Sequence, residues 1–130
     1  MTTALLDTHV LHWWSTEADR LSPRARQTVE DADELAVAGI SWYELAWLAA
    51  HGRILVSAPV LTWLSDLSSF VRTVGVTPSI ADRAAGLPAT FLGDPADRLI
   101  YATALEYGWP LVTKDGRMRG HPNSRATTVW

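Results

Sequence analysis

The apolar positions of the chain come in two spacings, short unbroken runs and helix-spaced stripes, and the two alternate. Ala4-Leu5-Leu6 is a run closed by Asp7-Thr8, which predicts a buried strand with a polar tip. Val10, Leu11, Trp13 and Trp14 then form a stripe, so a helix follows. Ser22 before Pro23 has the form of an N-cap with proline at the first helical position, and that helix is expected to run to about Asp33. Leu35 to Ile40 predicts a second buried strand. Ser41-Trp42-Tyr43-Glu44 opens a helix to about His51, stopped by Gly52. Pro59 lies early in a helix reaching about Val71, on which Leu61, Trp63, Leu64, Leu67 and Phe70 keep helical spacing. Thr73 to Thr77 predicts a short strand. Pro78-Ser79 opens a helix that Pro88 ends, and Gly93-Asp94-Pro95 starts a long one that closes at Tyr107-Gly108. Pro110 to Thr113 reads as a strand ending at Lys114-Asp115. A basic loop follows, and Ala126 to Val129 is the last predicted strand.

The predicted strands show little internal alternation, as expected when both faces are covered. That pattern predicts an α/β protein, a mostly parallel sheet sandwiched between helices in three layers. No repeat, low-complexity segment or linker interrupts it, so residues 1–130 are expected to form a single domain.

Composition narrows the function. Fourteen acids against 11 bases give a formal net charge of -3, and Lys114 is the only lysine. A binder that holds nucleic acid by bulk positive charge is excluded, so any such contact must be local. The absence of cysteine excludes disulfides, thiolate nucleophiles and Cys-containing zinc sites, and agrees with a reducing cytoplasm. Residues 1 to 14 carry no Lys or Arg and include Asp7, which is not the form of a signal peptide. The longest apolar runs, such as Leu45 to Ala50, fall far short of the roughly 20 residues that span a bilayer. A cytoplasmic protein without a membrane partner is expected.

The acids are placed unevenly. In a parallel α/β sheet, ligands bind beyond the carboxyl ends of the strands. Asp7 ends the first strand, and Asp115 follows Leu111-Val112-Thr113 by one residue. Glu44 lies in the first turn of the helix after the second strand, and Asp94 and Asp97 in the first turn of the helix before the fourth. Each has a local explanation. Ser41-x-x-Glu44 is a capping box, Asp94-Pro95 an N-cap, Asp97 an acid near a helix N-terminus, Asp115-Gly116 a turn. Asp7 and Thr8 could each cap the first helix. Jointly the acids converge on one sheet edge, where like charges raise one another's pKa. A hard divalent cation with oxygen ligands offsets that cost, and such a site suits phosphodiester hydrolysis.

On four segments the chain resembles the PIN-domain ribonucleases, and among them the VapC toxins of type II toxin–antitoxin pairs. They are Leu-Leu-Asp-Thr-His at 5 to 9, Ile-Ser-Trp-Tyr-Glu-Leu at 40 to 45, Asp-Pro-Ala-Asp-Arg-Leu-Ile at 94 to 100 and Leu-Val-Thr-Lys-Asp at 111 to 115. The closing Thr-Val-Trp at 128 to 130 also fits, so the resemblance reaches from end to end. It implies a PIN-like sheet of five strands and an endoribonuclease dependent on Mg²⁺ or Mn²⁺. It implies a homodimer and a cognate VapB-type antitoxin whose tail blocks the site. Growth arrest would follow when the antitoxin is degraded. It maps metal-binding, catalytic acids onto Asp7, Glu44, Asp97 and Asp115, with Thr8, Asp94 and Thr113 in support. Family members often carry a His two residues before the Asp-Pro pair. Here that residue is Leu92.

On this reading Asp7, Asp97 and Asp115 help to hold one or two metals, and Glu44 binds metal or accepts a proton from the attacking water. Cleavage leaves a 5′-phosphate and a 3′-hydroxyl. Arg98 could grip a phosphate or pair with an acid. Lys114, Arg117 and Arg119 could track an RNA backbone or form a solvated turn. His9 and His12 match no metal-binding motif, although His9 could line the cleft. Trp13-Trp14 cannot both face one core, so one of them could belong to an antitoxin groove. Trp42, Trp47 and Leu48 make their helix apolar nearly all round, which suits a dimer contact or a fully internal helix. Two other classes remain open. One is another metal-dependent phosphoesterase or nuclease. The other is a receiver-like signalling domain, although the candidate third strand ends without the acid such a domain phosphorylates.

Overall fold

The computed structural model describes residues 1–122 and 127–130. Five strands, β1 (Thr3–Leu6), β2 (Glu34–Ala38), β3 (Arg72–Val74), β4 (Leu111–Val112) and β5 (Thr128–Val129), form one sheet in the order β3-β2-β1-β4-β5. Every pairing is parallel, so the expected mostly parallel sheet is wholly so. Receiver domains order their strands 2-1-3-4-5. The order found here is different and removes the signalling alternative.

Among the described residues seven α-helices connect and cover the strands: α1 (Thr8–Thr16), α2 (Pro23–Asp31), α3 (Ile40–Ala50), α4 (Val60–Ser68), α5 (Pro78–Ala85), α6 (Pro95–Tyr107) and α7 (Gly116–Arg119). The central strand β1 is buried throughout. Its side chains alternate between two cores, as the strand period requires. Leu5 packs with Ile80, Ile100, Tyr101 and Met118 from α5, α6 and α7. Ala4 and Leu6 pack with Val10, Leu11, Ala25, Val29 and Leu45 from α1, α2 and α3. Both faces being dry, the strands need no polar side, which is why their sequences are unbroken apolar runs.

Several expected boundaries shift, each for a visible reason. β3 stops at Val74 because its partner stops: Ala38 pairs with Val74, and Gly39 N–H donates to the Val74 carbonyl at 2.8 Å. α2 ends at Asp31, and the Asp33 carboxylate instead accepts from Thr2 N–H at 2.8 Å. α4 ends at Ser68, and the expected basic loop after Asp115 contains α7. α6 closes as expected, with Gly108 at φ 68° in the left-handed region that favours glycine. Of the predicted last strand, Ala126 lies outside the described residues. Among the described residues no helix is long and apolar enough to cross a membrane.

Candidate active site

The strand order reverses beside β1, which has β2 on one side and β4 on the other. Sheets of this type open a crevice at such a point, beyond the carboxyl ends of the strands. Asp7 ends β1 and Thr113 follows β4, and Asp7 N–H donates to the Val112 carbonyl at 3.0 Å. A cleft of about 460 Å³ lies there, lined by Asp7, Thr8, His9, Trp13, Glu44, Asp94, Asp97, Lys114, Asp115 and Arg117. All five acids singled out by the sequence therefore reach one cavity, joined there by Thr8, Lys114 and Arg117, while Thr113, Arg98 and Arg119 are not part of its lining.

Hydroxyls position the carboxylates. Thr113 Oγ1 donates to Asp7 Oδ2 at 2.6 Å and accepts from Asp115 N–H at 3.1 Å, so one buried side chain ties two acid-bearing segments together. Asp7 Oδ1 accepts from Thr8 N–H at 2.8 Å, which makes Asp7 the cap of α1. Thr8 Oγ1 is 2.5 Å from Glu44 Oε1 and 2.9 Å from Ser41 Oγ. A threonine hydroxyl carries one proton. Given to the carboxylate, it leaves Ser41 to donate in the other contact.

The expected capping box does not form. α3 begins at Ile40 with Gly39 as its cap, and Ser41 and Glu44 engage Thr8 across the site instead. Asp94 does cap α6, accepting from Ala96 N–H at 2.8 Å and Asp97 N–H at 3.2 Å. Asp115 caps α7 and pairs with Arg117 at 3.2 Å. Ser41 is the supporting residue the sequence reading missed. Its signal was shared with Thr8: each is a hydroxyl residue close behind the end of a strand.

The charges are poorly compensated. Burial, and then Asp94, Asp7, Asp115 and Glu44 in turn, push the Asp97 carboxyl up to about 7. Burial raises Asp7 and Glu44 as well, against the hydrogen bonds from Thr113 and Thr8. Asp115 goes the other way. Burial would raise it, but hydrogen bonds from the Arg117 side chain and from the Arg117 and Met118 backbone outweigh that and lower it. The donor set is carboxylate and hydroxyl oxygen, the chemistry a hard divalent ion takes. Among the described residues no three His, Asp or Glu side chains are drawn together tightly enough to grip a bare ion alone. A small hydrated ion fits better, since Mg²⁺ keeps several waters and uses only one or two carboxylates.

The basic residues divide. Lys114 Nζ lies 5.5 Å from the Trp13 ring centroid, and with Arg117 it lines the cleft. Arg119 is on the exposed last turn of α7, outside the cleft lining. Arg98 is turned toward backbone carbonyls and away from the acids. Its guanidinium donates to the carbonyls of Leu92 (2.7 Å), Ala84 (3.1 Å), Leu87 (3.2 Å) and Pro88 (3.1 Å), and among the described residues it forms no ion pair. A planar fork with five donors suits that task of holding a loop. His9 lines the cleft, and His12 does not.

Comparison with known proteins agrees with this geometry. The family model described as PIN domain matches residues 4–122. The chain is 63% identical over 130 residues to "Ribonuclease VapC22" of Mycobacterium tuberculosis (strain ATCC 25618 / H37Rv), covering 100% of both sequences. Its fold is similar to that in a toxin-antitoxin complex from Klebsiella pneumoniae, with a TM-score of 0.70 at 23% identity, covering 98% of this chain and 96% of the other. It is also similar to a chain of VapBC2 from Rickettsia felis bound to a DNA fragment from their promoter, with a TM-score of 0.69 at 15% identity, covering 94% and 95%. By the extent of the family match and the identity to a full-length relative, the chain belongs to the PIN-domain family and, within it, to the VapC ribonucleases.

Proposed function

We propose that the protein is the toxin of a type II toxin–antitoxin pair, an endoribonuclease that cuts RNA with the help of Mg²⁺ or Mn²⁺. One observation carries the chemistry: five carboxylates share a cleft at the sheet's switch point, and one of them titrates near neutrality. The relative named as a ribonuclease supports the choice of RNA. Asp7, Glu44, Asp97 and Asp115 would hold the ion, directly or through water, with Asp94, Thr8 and Thr113 fixing their orientation. A bound divalent cation supplies positive charge for a phosphoryl oxygen and lowers the pKa of water. Without the ion, burial and the neighbouring acids push the Asp97 carboxyl up to about 7 and raise Glu44 as well, and a bound cation would offset that like-charge cost. Lys114 and Arg117, which line the cleft, would meet flanking phosphates.

The partner is a VapB-type antitoxin, supported by two structural neighbours described as toxin–antitoxin assemblies. An apolar groove of about 550 Å³ bordered by Trp14, Trp63 and Phe70 suits an amphipathic segment of it. Exposed Leu55 and Leu61 support a homodimer. We further place residues 1–130 as one PIN domain, in the cytoplasm.

The test is cleavage of a single-stranded RNA by the purified protein. Cleavage should require Mn²⁺ or Mg²⁺ and stop with EDTA. Asp7→Asn should abolish it while leaving the fold intact. Metal-dependent cleavage that survives Asp7→Asn would remove the assignment.

A further inference from the structure

A second cavity opens beside the acidic cleft. Its volume is about 290 Å³, and it is lined by His9, Tyr43, Glu44, Trp47 and Leu48. His9 and Glu44 line both cavities, so the two adjoin. The chemistry changes across that boundary. On one side are carboxylate oxygens. On the other is aromatic and aliphatic carbon from a single face of α3, where Tyr43 and Trp47 are four residues apart. Tyr43 is 64% exposed and Trp47 42%. Trp47 is nevertheless held in place. His51 stacks on it at 3.9 Å and 17°, and His51 Nδ1 lies 2.8 Å from the Trp47 carbonyl oxygen. A ring fixed in advance gives up little freedom when a ligand stacks on it.

We propose that this cavity is a nucleobase subsite. It takes the base of a nucleotide flanking the scissile phosphate while that phosphate lies over the carboxylates. The proposal rests on the endoribonuclease reading. Single-stranded RNA alternates charged phosphates with flat bases, and proteins hold it with charge for the first and aromatic platforms for the second. The two adjoining cavities offer that alternation in one place. An apolar segment of a protein partner would want the same carbon. The shared walls, Glu44 and His9, favour instead the molecule whose phosphate is cut next door. Stacking tolerates any base, so Trp47 and Tyr43 are positioning residues that set the register of the strand.

The experiment compares Trp47→Ala with wild type on short single-stranded oligoribonucleotides, intact or made abasic at either nucleotide flanking the cleavage site. Trp47→Ala should lower kcat/KM on intact RNA by about ten-fold, and Trp47→Phe should restore most of it. At one of the two positions, the abasic RNA should be cut equally slowly by wild type and Trp47→Ala. Fluorescence anisotropy with a labelled intact oligoribonucleotide, in an Asp7→Asn background, makes the same comparison without cleavage. Equal binding and cleavage of intact RNA by Trp47→Ala and wild type overturns the subsite. So does a loss on abasic RNA as large as that on intact RNA at both positions. A Trp47→Ala protein that handles RNA normally but loses antitoxin binding, or changes its mass in light scattering, assigns the face to a protein partner and overturns it too. If wild type cuts no RNA with Mn²⁺, the ribonuclease reading fails, and the binding comparison still decides the subsite.

Discussion

Asp97 carries a pH dependence of stability. Its carboxyl is pushed up to about 7 from an ordinary 3.8. Between those values the folded protein binds a proton that the unfolded chain has lost. Stability is therefore greatest below the window and falls as pH rises through it. Asp7 and Glu44 are raised too and act in the same direction. In EDTA, Tm should fall between about pH 5 and about pH 8, and Asp97→Asn should flatten the fall. An equal pH dependence of Tm in wild type and Asp97→Asn contradicts it, since burial lowers His12 and that group acts the other way in both proteins. Thr113 makes a second prediction. Thr113→Val keeps the buried shape but removes the hydroxyl that ties Asp7 to Asp115. Partners of this kind, one step behind the ligands, are worth about 10–100-fold in metal affinity or activity. Mn²⁺-dependent cleavage should drop by that range, with a loss of only about 1 kcal/mol in urea unfolding. The acids themselves were legible, because an apolar run that ends abruptly in Asp or Thr-Lys-Asp marks a strand tip. Glu44 was legible as an acid of the site but not in its contact. A local pattern, Ser-x-x-Glu, offered a competing partner, and a threonine 36 residues away won it.

The element that explains most about what stayed hidden is the segment from the end of α5 to the start of α6. It holds almost no regular structure, and Arg98 reaches back from α6 to donate to three of its carbonyls and to that of Ala84 in the last turn of α5. Carbonyls leave no trace in sequence. An arginine next to a proposed ligand therefore looked like part of the chemistry. The expected outcome of Arg98→Ala is structural: about 2–3 kcal/mol lost in denaturant unfolding, from charged hydrogen bonds removed and acceptors stranded. Arg98→Lys should recover little, since an ammonium cannot copy the fork. Full stability in Arg98→Ala with lost RNA binding would return the residue to the substrate. The helix α7 was equally hidden. Four residues are too few to show a stripe, and its start depends on Asp115 accepting from the Arg117 and Met118 N–H groups.

Over the whole molecule, the alternation of runs and stripes was enough for the three layers and the parallel sheet. Strand order was not, because nothing in a buried run names its neighbour. The charge pattern has a whole-molecule consequence as well. The formal charge of -3 becomes -1 with one divalent ion and +1 with two. Among the described residues, Lys114 and Arg117 are the Lys and Arg side chains that line the cleft. With two phosphate contacts, the slope of log binding constant against log salt for single-stranded RNA should be about −1 to −2. A slope steeper than about −4 would require a basic surface beyond this cleft. The bond between Thr113 and Asp7 joins residues 106 apart, and β1 lies between a strand made soon after it and one made much later. A ribosome adds about 5–20 residues per second, so Asp7 emerges many seconds before its partner exists. Through that interval the nascent chain holds the first acid of a nuclease without the hydroxyl that ties it to the last. Topology alone thus delays a damaging activity until Thr113 has been made, and until then leaves the translating ribosome near a chain that is not yet armed.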